Sequence, residues 1–110
     1  MTLDESKFLG LAEGTLERLA EAIEDALGDE LDVEMDGGIL TIALSDGGQY
    51  IVNKNAPMRQ IWLSSPRSGA WHFDWDEAGA CWRSTRGQPV NLADLLAEEL
   101  KAATGKPVAI

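Results

Sequence analysis

The chain has 110 residues, enough for one domain, and carries a formal net charge of −10 from 19 acidic and 9 basic side chains. A single Cys and a single His exclude an internal disulfide, a cysteine-based metal cage and any motif that needs two histidines. The acidic balance disfavours nucleic acid and anionic membranes, and no apolar run reaches the roughly 18–20 residues of a membrane helix.

The first predicted element is an amphipathic helix over residues 3–28. Apolar or small residues recur there at steps of three and four, which is typical of one buried stripe. The stripe consists of Phe8, Leu11, Ala12, Thr15, Leu19, Ile23, Ala26 and Leu27. Thr2 and Glu5 have the spacing of a capping box, and Gly28 is the predicted end of the helix.

A row of carboxylates runs along the same helix, in the first 36 residues, where 12 acidic and 2 basic side chains account for the whole net charge. Its members stand four residues apart and so share one side: Glu13, Glu17, Glu21, Asp25 and Asp29. Such neighbours have Cβ atoms roughly 5–6 Å apart, close enough to share a hard cation such as iron, manganese or calcium. Because the row contains no His or Cys, we predict that cations bind weakly and with poor selectivity at this surface. The alternative is a solvated helix face without a ligand.

Six short runs with the length and alternation of β-strands follow. They cover residues 31–36, 39–44, 49–54, 59–64, 70–75 and 80–84. Glycine-rich turns such as Gly37-Gly38 indicate hairpins, so neighbouring strands should pair antiparallel. A second helix is predicted from its N-cap Asn91 to Thr104-Gly105.

This order of helix, five or six strands and helix predicts an α+β fold, a two-layer α/β sandwich. The N-terminal and C-terminal helices should pack on one face of a mostly antiparallel sheet. The other face would then be open to solvent or to a partner.

Alternation along the third to fifth strands sends polar and aromatic side chains to that open face. If the strands pair as a meander, the side chains that cluster there are Asn53, Gln60, Trp62 and His72. A Trp among polar groups on an open face is a candidate interface anchor, and the alternative is that its neighbours cover it. Cys81 is interpreted as a packed thiol. The sequence contains no phosphate-cradling loop or nucleophile elbow, so we predict no catalytic residues.

The stretch from Tyr50 to Trp75 closely resembles the signature of the frataxin family, in the form called CyaY in bacteria. Its most specific positions are Asn53-Lys54, Pro57, Gln60 to Pro66, and Gly69. Similarity to the two helices of the family extends the match over roughly residues 3–101. The resemblance implies a single frataxin-like domain over residues 1–110.

By this resemblance, the protein takes part in iron–sulfur cluster assembly, as a regulator and iron-handling adaptor of the complex of cysteine desulfurase and scaffold protein. Iron, as Fe²⁺ or Fe³⁺, would bind weakly at surface carboxylates. Carried over by position, these are Glu5, Glu13, Glu17, Glu21, Glu24, Asp25, Asp29, Glu34 and Asp36. The partner contacts would be Asn53, Gln60, Trp62 and His72.

An alternative function is iron storage or ferroxidase-type iron detoxification through the same carboxylates. The resemblance implies at most weak ferroxidase activity and a monomer that can oligomerise with iron. Neither nucleic acid nor membrane is expected as a partner. Residues 1–5 lack the features of a signal peptide, so we expect a bacterial cytoplasmic protein, or a mitochondrial matrix protein only if a transit peptide has been removed.

Overall fold

In a computed structural model, which describes residues 4–87 and 89–110, two helices pack on one face of a six-stranded antiparallel sheet. This confirms the predicted α+β sandwich, and the described residues form six strands. The elements in chain order are α1 (Glu5–Leu27), β1 (Leu31–Asp36), β2 (Ile39–Leu44), β3 (Gln49–Asn55), β4 (Gln60–Ser65), β5 (Gly69–Asp76), β6 (Cys81–Ser84) and α2 (Leu92–Thr104).

The sheet is a meander in which each strand pairs with the next one along the chain. The β1–β2 hairpin turns through Gly37 and Gly38, whose φ angles are +61° and +81°. Glycine adopts this left-handed conformation without a steric penalty, which explains why the glycine pair forms a hairpin turn at this position. The predicted antiparallel order of the strands is confirmed.

The hydrophobic core lies between the helices and the sheet. From α1 it receives Phe8, Ala12, Thr15, Leu16, Leu19, Ile23 and Leu27. The predicted stripe was wrong at two positions: Leu16 is fully buried, whereas Ala26 is exposed. Leu16 stands four residues after Ala12 and three before Leu19, so the helical period places it on the same face. The sheet contributes residues such as Tyr50, Val52 and Phe73 from its helix-facing side.

The helix ends follow the chemistry of capping, although not at every predicted residue. The N-cap of α1 is Asp4, whose carboxylate accepts a 2.8 Å hydrogen bond from the backbone N–H of Lys7. The capping box predicted from Thr2 is therefore wrong for α1, and Thr2 itself lies outside the described residues. Asn91 caps α2 as predicted, and Gly105 ends that helix with a φ of +79°. No helix in the described ranges is long and apolar enough to cross a membrane.

Candidate partner-binding face and acidic ridge

The open face of the sheet brings together the side chains that alternation assigned to it. Trp62 of β4 pairs directly with Asn53 of β3 on one side and with His72 of β5 on the other. One pleat further along, Gln60 pairs with Asp74 in the same way. The four predicted contact residues therefore lie on one continuous surface, since residues in register across neighbouring strands point to the same side.

Trp62 is held in a fixed orientation on this face. Its indole stacks on the His72 ring, with centroids 4.3 Å apart and planes 12° from parallel. Its Nε1 donates a 2.8 Å hydrogen bond to Gln60 Oε1, and Gln60 Nε2 donates at 2.9 Å to Asp74 Oδ1. Trp62 is half-buried while His72 is exposed. The face therefore presents a partly exposed aromatic pair whose geometry is already set.

Gln60 is more buried than its predicted place on the open face suggests. It lies on the open face, yet it is only 8% exposed because its amide is occupied by Trp62 and Asp74. Its structural role is to orient the indole. Alternation places Asp74 on this face, but only the strand register shows that Asp74 meets Gln60.

Sequence reasoning also missed an apolar side chain near this surface. Ile39 lies on the open side of β2 and is 43% exposed, whereas its neighbour Leu40 is fully buried on the helix side. The alternation of β2 carries the signal that could have identified Ile39. The surface formed by Asn53, Gln60, Trp62 and His72, with Ile39 near it, is called the Trp62 face below.

The nine predicted iron-binding carboxylates are all exposed and lie on α1, on the turn after it and on β1. Together they are called the acidic ridge. Among the described residues, the only one of the nine that forms an ion pair is Glu13, whose Oε2 lies 3.5 Å from Lys54 Nζ. Within residues 4–87 and 89–110, no three His, Cys, Asp or Glu side chains are grouped so that they could hold one metal ion. The ridge is therefore a line of separate hard oxygen ligands rather than a cage.

At the opposite edge of the sheet, beside β6, two acidic side chains form ion pairs, unlike most members of the acidic ridge. Asp76 accepts a 2.8 Å hydrogen bond from Arg83 Nε, and this bond lowers the pKa of the Asp76 carboxyl, with further help from the backbone N–H of Gly79. Lys7 pairs with Glu77 at 3.0 Å. The first pair holds the two strands of the β5–β6 hairpin together, and the second joins the end of that hairpin to the start of α1.

A family model described as the frataxin-like domain matches residues 1–106 of the chain. The chain belongs to the frataxin-like family. It is 40% identical over 111 residues to the mitochondrial frataxin of Arabidopsis thaliana. The aligned region covers 96% of this chain and 58% of that protein. The chain thus spans little more than half the length of its plant relative. It is 37% identical to the iron-sulfur cluster assembly protein CyaY of Pseudomonas aeruginosa, with 78% of each chain covered.

Solved structures of the frataxin-like domain have the same architecture. The frataxin of Psychromonas ingrahamii superposes with a TM-score of 0.84 over 96% of each chain, at 23% identity, which shows the common fold. The trimeric frataxin of the yeast Saccharomyces cerevisiae, complexed with ferrous, is 36% identical, with a TM-score of 0.62 over 96% of this chain and 90% of that one. The family and the fold expected from the Tyr50–Trp75 signature are confirmed.

Proposed function

We propose that this frataxin-like chain serves iron–sulfur cluster assembly as an iron-handling adaptor that regulates the complex of cysteine desulfurase and scaffold protein. Relatives from bacteria carry the name iron-sulfur cluster assembly protein, and they match up to 98% of the chain. The similarity to both bacterial and mitochondrial relatives supports a cytoplasmic location in a bacterium or the mitochondrial matrix.

The observation that carries the adaptor function is the fixed Trp62–His72 stack on the open face of the sheet. A half-buried Trp is the side chain most enriched at the energetic centre of protein interfaces. Its hydrogen bond to Gln60 and its stack on His72 restrict its rotamers before a partner arrives. Binding therefore loses less conformational entropy than it would with a mobile side chain.

The acidic ridge supports the iron-handling part of the proposal. Exposed carboxylates are ligands that Fe²⁺ and Fe³⁺ accept, and their separation along α1 and β1 favours several weak sites over one tight site. Iron is here a cargo, bound and released, rather than a resident cofactor. The yeast relative described as trimeric and complexed with ferrous supports iron binding by this chain and its capacity to oligomerise.

Binding of the purified protein to a cysteine desulfurase, with and without its scaffold protein, tests the proposal. We expect Trp62→Ala to raise the Kd for the complex by about 30-fold or more, the equivalent of about 2 kcal/mol at an interface hot spot. The matched control is Ser64→Ala, an exposed residue two positions along the same face of β4, which should change the Kd little. Near-ultraviolet circular dichroism establishes that both variants are folded.

Two outcomes would overturn the adaptor function. One is a folded Trp62→Ala protein that binds the complex as tightly as the unaltered protein. The other is the absence of binding by the unaltered protein at low and at moderate salt. Oxygen consumption on Fe²⁺ addition, measured alongside, distinguishes the alternative iron-detoxifying function: turnover that ridge substitutions abolish, without partner binding, would favour it.

A further inference from the structure

Three side chains on the open face of the sheet are joined by hydrogen bonds that all run in one direction. The indole N–H of Trp62 donates to Gln60 Oε1 at 2.8 Å, and Gln60 Nε2 donates to Asp74 Oδ1 at 2.9 Å. Gln60 is buried, whereas Asp74 lies exposed beside it on β5. The series therefore begins at the aromatic ring of the Trp62 face and ends on an exposed carboxylate that contacts the ring only through Gln60.

The chemistry of these groups permits only one orientation of the Gln60 amide. The indole N–H of Trp62 can only donate, so the carbonyl end of the amide has to face it. The NH₂ end then points to Asp74, whose carboxylate supplies acceptors. A flipped amide would set two donors against each other at Trp62 and two acceptors against each other at Asp74. Asp74 therefore selects the same orientation of Gln60 that Trp62 requires.

The carboxylate of Asp74 is not committed to a basic side chain. Its direct neighbour on β6 is Arg83, but the Nε of Arg83 donates to Asp76 instead, at 2.8 Å. Within residues 4–87 and 89–110, no ion pair includes Asp74. The carboxylate is thereby left to accept from Gln60. Because this acceptor is a charged group, the bond is stronger than one between two neutral amides.

We propose that Asp74 is a positioning residue for partner binding at Trp62, and that it acts through the Gln60 amide. The inference rests on the adaptor function proposed above. The N–H is the only polar group of the indole, and Gln60 occupies it within the face. A partner therefore meets the hydrocarbon surface of the ring, and its affinity depends on where the ring is held. The bond to Asp74 and the stack on His72 hold the ring in one position before the partner arrives, which lowers the entropic cost of binding.

The first measurement follows the indole N–H of Trp62 in the free protein by heteronuclear NMR. The chain has four tryptophans, and Trp62→Phe identifies the signal of Trp62 by its loss. We expect Asp74→Ala to speed the exchange of this N–H with water by about fivefold, because Gln60 loses the bond that keeps its carbonyl in place. Asp74→Asn, which retains an acceptor oxygen, should stay within about twofold of the unaltered protein. Unchanged signals of the other tryptophans establish that the variants are folded.

The second measurement is the Kd for the complex of cysteine desulfurase and scaffold protein. Asp74→Ala should raise this Kd by about fivefold, less than the loss expected for Trp62→Ala. The matched control is Asp32→Ala, which removes the same charge from an exposed position on β1, three strands from β4, and should change neither readout. A double-mutant cycle with Gln60→Ala separates an indirect effect from a direct contact. In the Gln60→Ala background, Asp74→Ala should add less than about twofold.

Equal exchange of the Trp62 N–H in the Asp74→Ala and unaltered proteins would overturn the positioning role and leave the adaptor function intact. An undiminished effect of Asp74→Ala on the Kd in the Gln60→Ala background would also overturn it, because Asp74 would then contact the partner itself. So would an equal loss of affinity in Asp32→Ala, because the effect would then be one of general charge. The NMR readout needs no partner. If the indole responds as expected but the unaltered protein does not bind the complex, the adaptor function is the proposal that fails, and Asp74 keeps only its effect on the ring.

Discussion

Tyr50 of β3 donates a 3.0 Å hydrogen bond to Glu99 of α2, and so joins the sheet to the second helix. The same carboxylate accepts hydrogen bonds from Ser65 and Ser68, each at 2.6 Å. Ser68 in turn accepts a 2.8 Å bond from the indole of Trp71. Glu99 therefore fixes α2 against the end of β4 and the loop that follows it, beneath the segment that carries the family signature.

Glu99→Gln should lower the free energy of unfolding by about 1–3 kcal/mol, the usual cost of leaving a buried polar group without its partner. The amide places an NH₂ donor where the carboxylate accepted from Ser65 or Ser68. Glu98→Gln, at the exposed neighbouring position, is the control and should change the stability by less than about 0.5 kcal/mol. Urea denaturation followed by tryptophan fluorescence measures both. Equal losses in the two variants would show that the Glu99 contacts contribute nothing specific.

Tyr50 should make the stability fall at high pH. Burial raises the pKa of its hydroxyl above the ordinary value of 10.0, and the hydrogen bond to Glu99 raises it further. The folded state therefore keeps a proton that the unfolded chain releases. This contribution is complete below pH 10 and is lost as the pH rises, at up to about 1.4 kcal/mol per pH unit.

The ionisation of Tyr50 can be followed by absorbance without a contribution from another tyrosine, because it is the only tyrosine of the chain. Tyrosinate absorbance should appear with unfolding and not before it. Tyr50→Phe should remove this part of the alkaline loss of stability. An absorbance step near pH 10 in protein that is still folded would contradict the prediction.

The parts of the fold that follow from local patterns could be predicted from the sequence. The glycine pair of the β1–β2 turn, the N-cap at Asn91 and the alternation of β3 to β5 each determine structure within a few residues. The cluster of Asn53, Trp62 and His72 also followed, because short hairpin connections and the alternation of buried side chains together fix which residues of the three strands lie opposite one another. Whether this cluster binds a partner stays a prediction.

Features that depend on how the layers face each other could not be predicted. Positions 98 and 99 are both glutamate, so residue type does not distinguish Glu98 from Glu99. Only the rotation of α2 about its axis directs the Glu99 carboxylate towards the hydroxyls of Ser65 and Ser68. Trp75 shares a face of β5 with fully buried Phe73, yet it is only half-buried where it packs against the core. Both outcomes arise from tertiary packing, which no local periodicity records.

Thr15 should be needed for the hydroxyl of its side chain rather than for its helix propensity. Its Oγ1 accepts a 2.9 Å hydrogen bond from the indole N–H of buried Trp82 and donates to the Leu11 carbonyl at 2.8 Å. Thr15→Val keeps the shape but leaves the Trp82 N–H unpaired, so we expect a loss of about 1–3 kcal/mol in urea denaturation. Thr15→Ser, which keeps the acceptor, should retain most of the stability. A Val variant as stable as the Ser variant would contradict this role.

Repulsion within the acidic ridge should make one neutralising substitution stabilising. Glu17 stands four residues from both Glu13 and Glu21, and each such pair of like charges costs about 0.2–0.5 kcal/mol. Glu17→Gln removes two pairs and should raise the free energy of unfolding by about 0.4–1 kcal/mol at low salt. In about 1 M NaCl, where the screening length falls to about 3 Å, the gain should shrink. A gain of the same size at both salt concentrations would show that the helix preference for Gln, and not charge, is responsible.

Cations that bind the acidic ridge should stabilise the protein more than ionic screening alone does. A cation that binds the folded ridge and not the unfolded chain raises Tm by mass action, and Fe²⁺ under anaerobic conditions or Ca²⁺ can do so. We expect a higher Tm in either ion than in NaCl of equal ionic strength. The increment should be smaller in a variant with Glu17→Gln and Glu21→Gln, because adjacent carboxylates on one side of α1 are the ligands. An identical Tm in NaCl and in the divalent salt would mean that screening accounts for the whole effect, and iron handling by the ridge would then have to be abandoned.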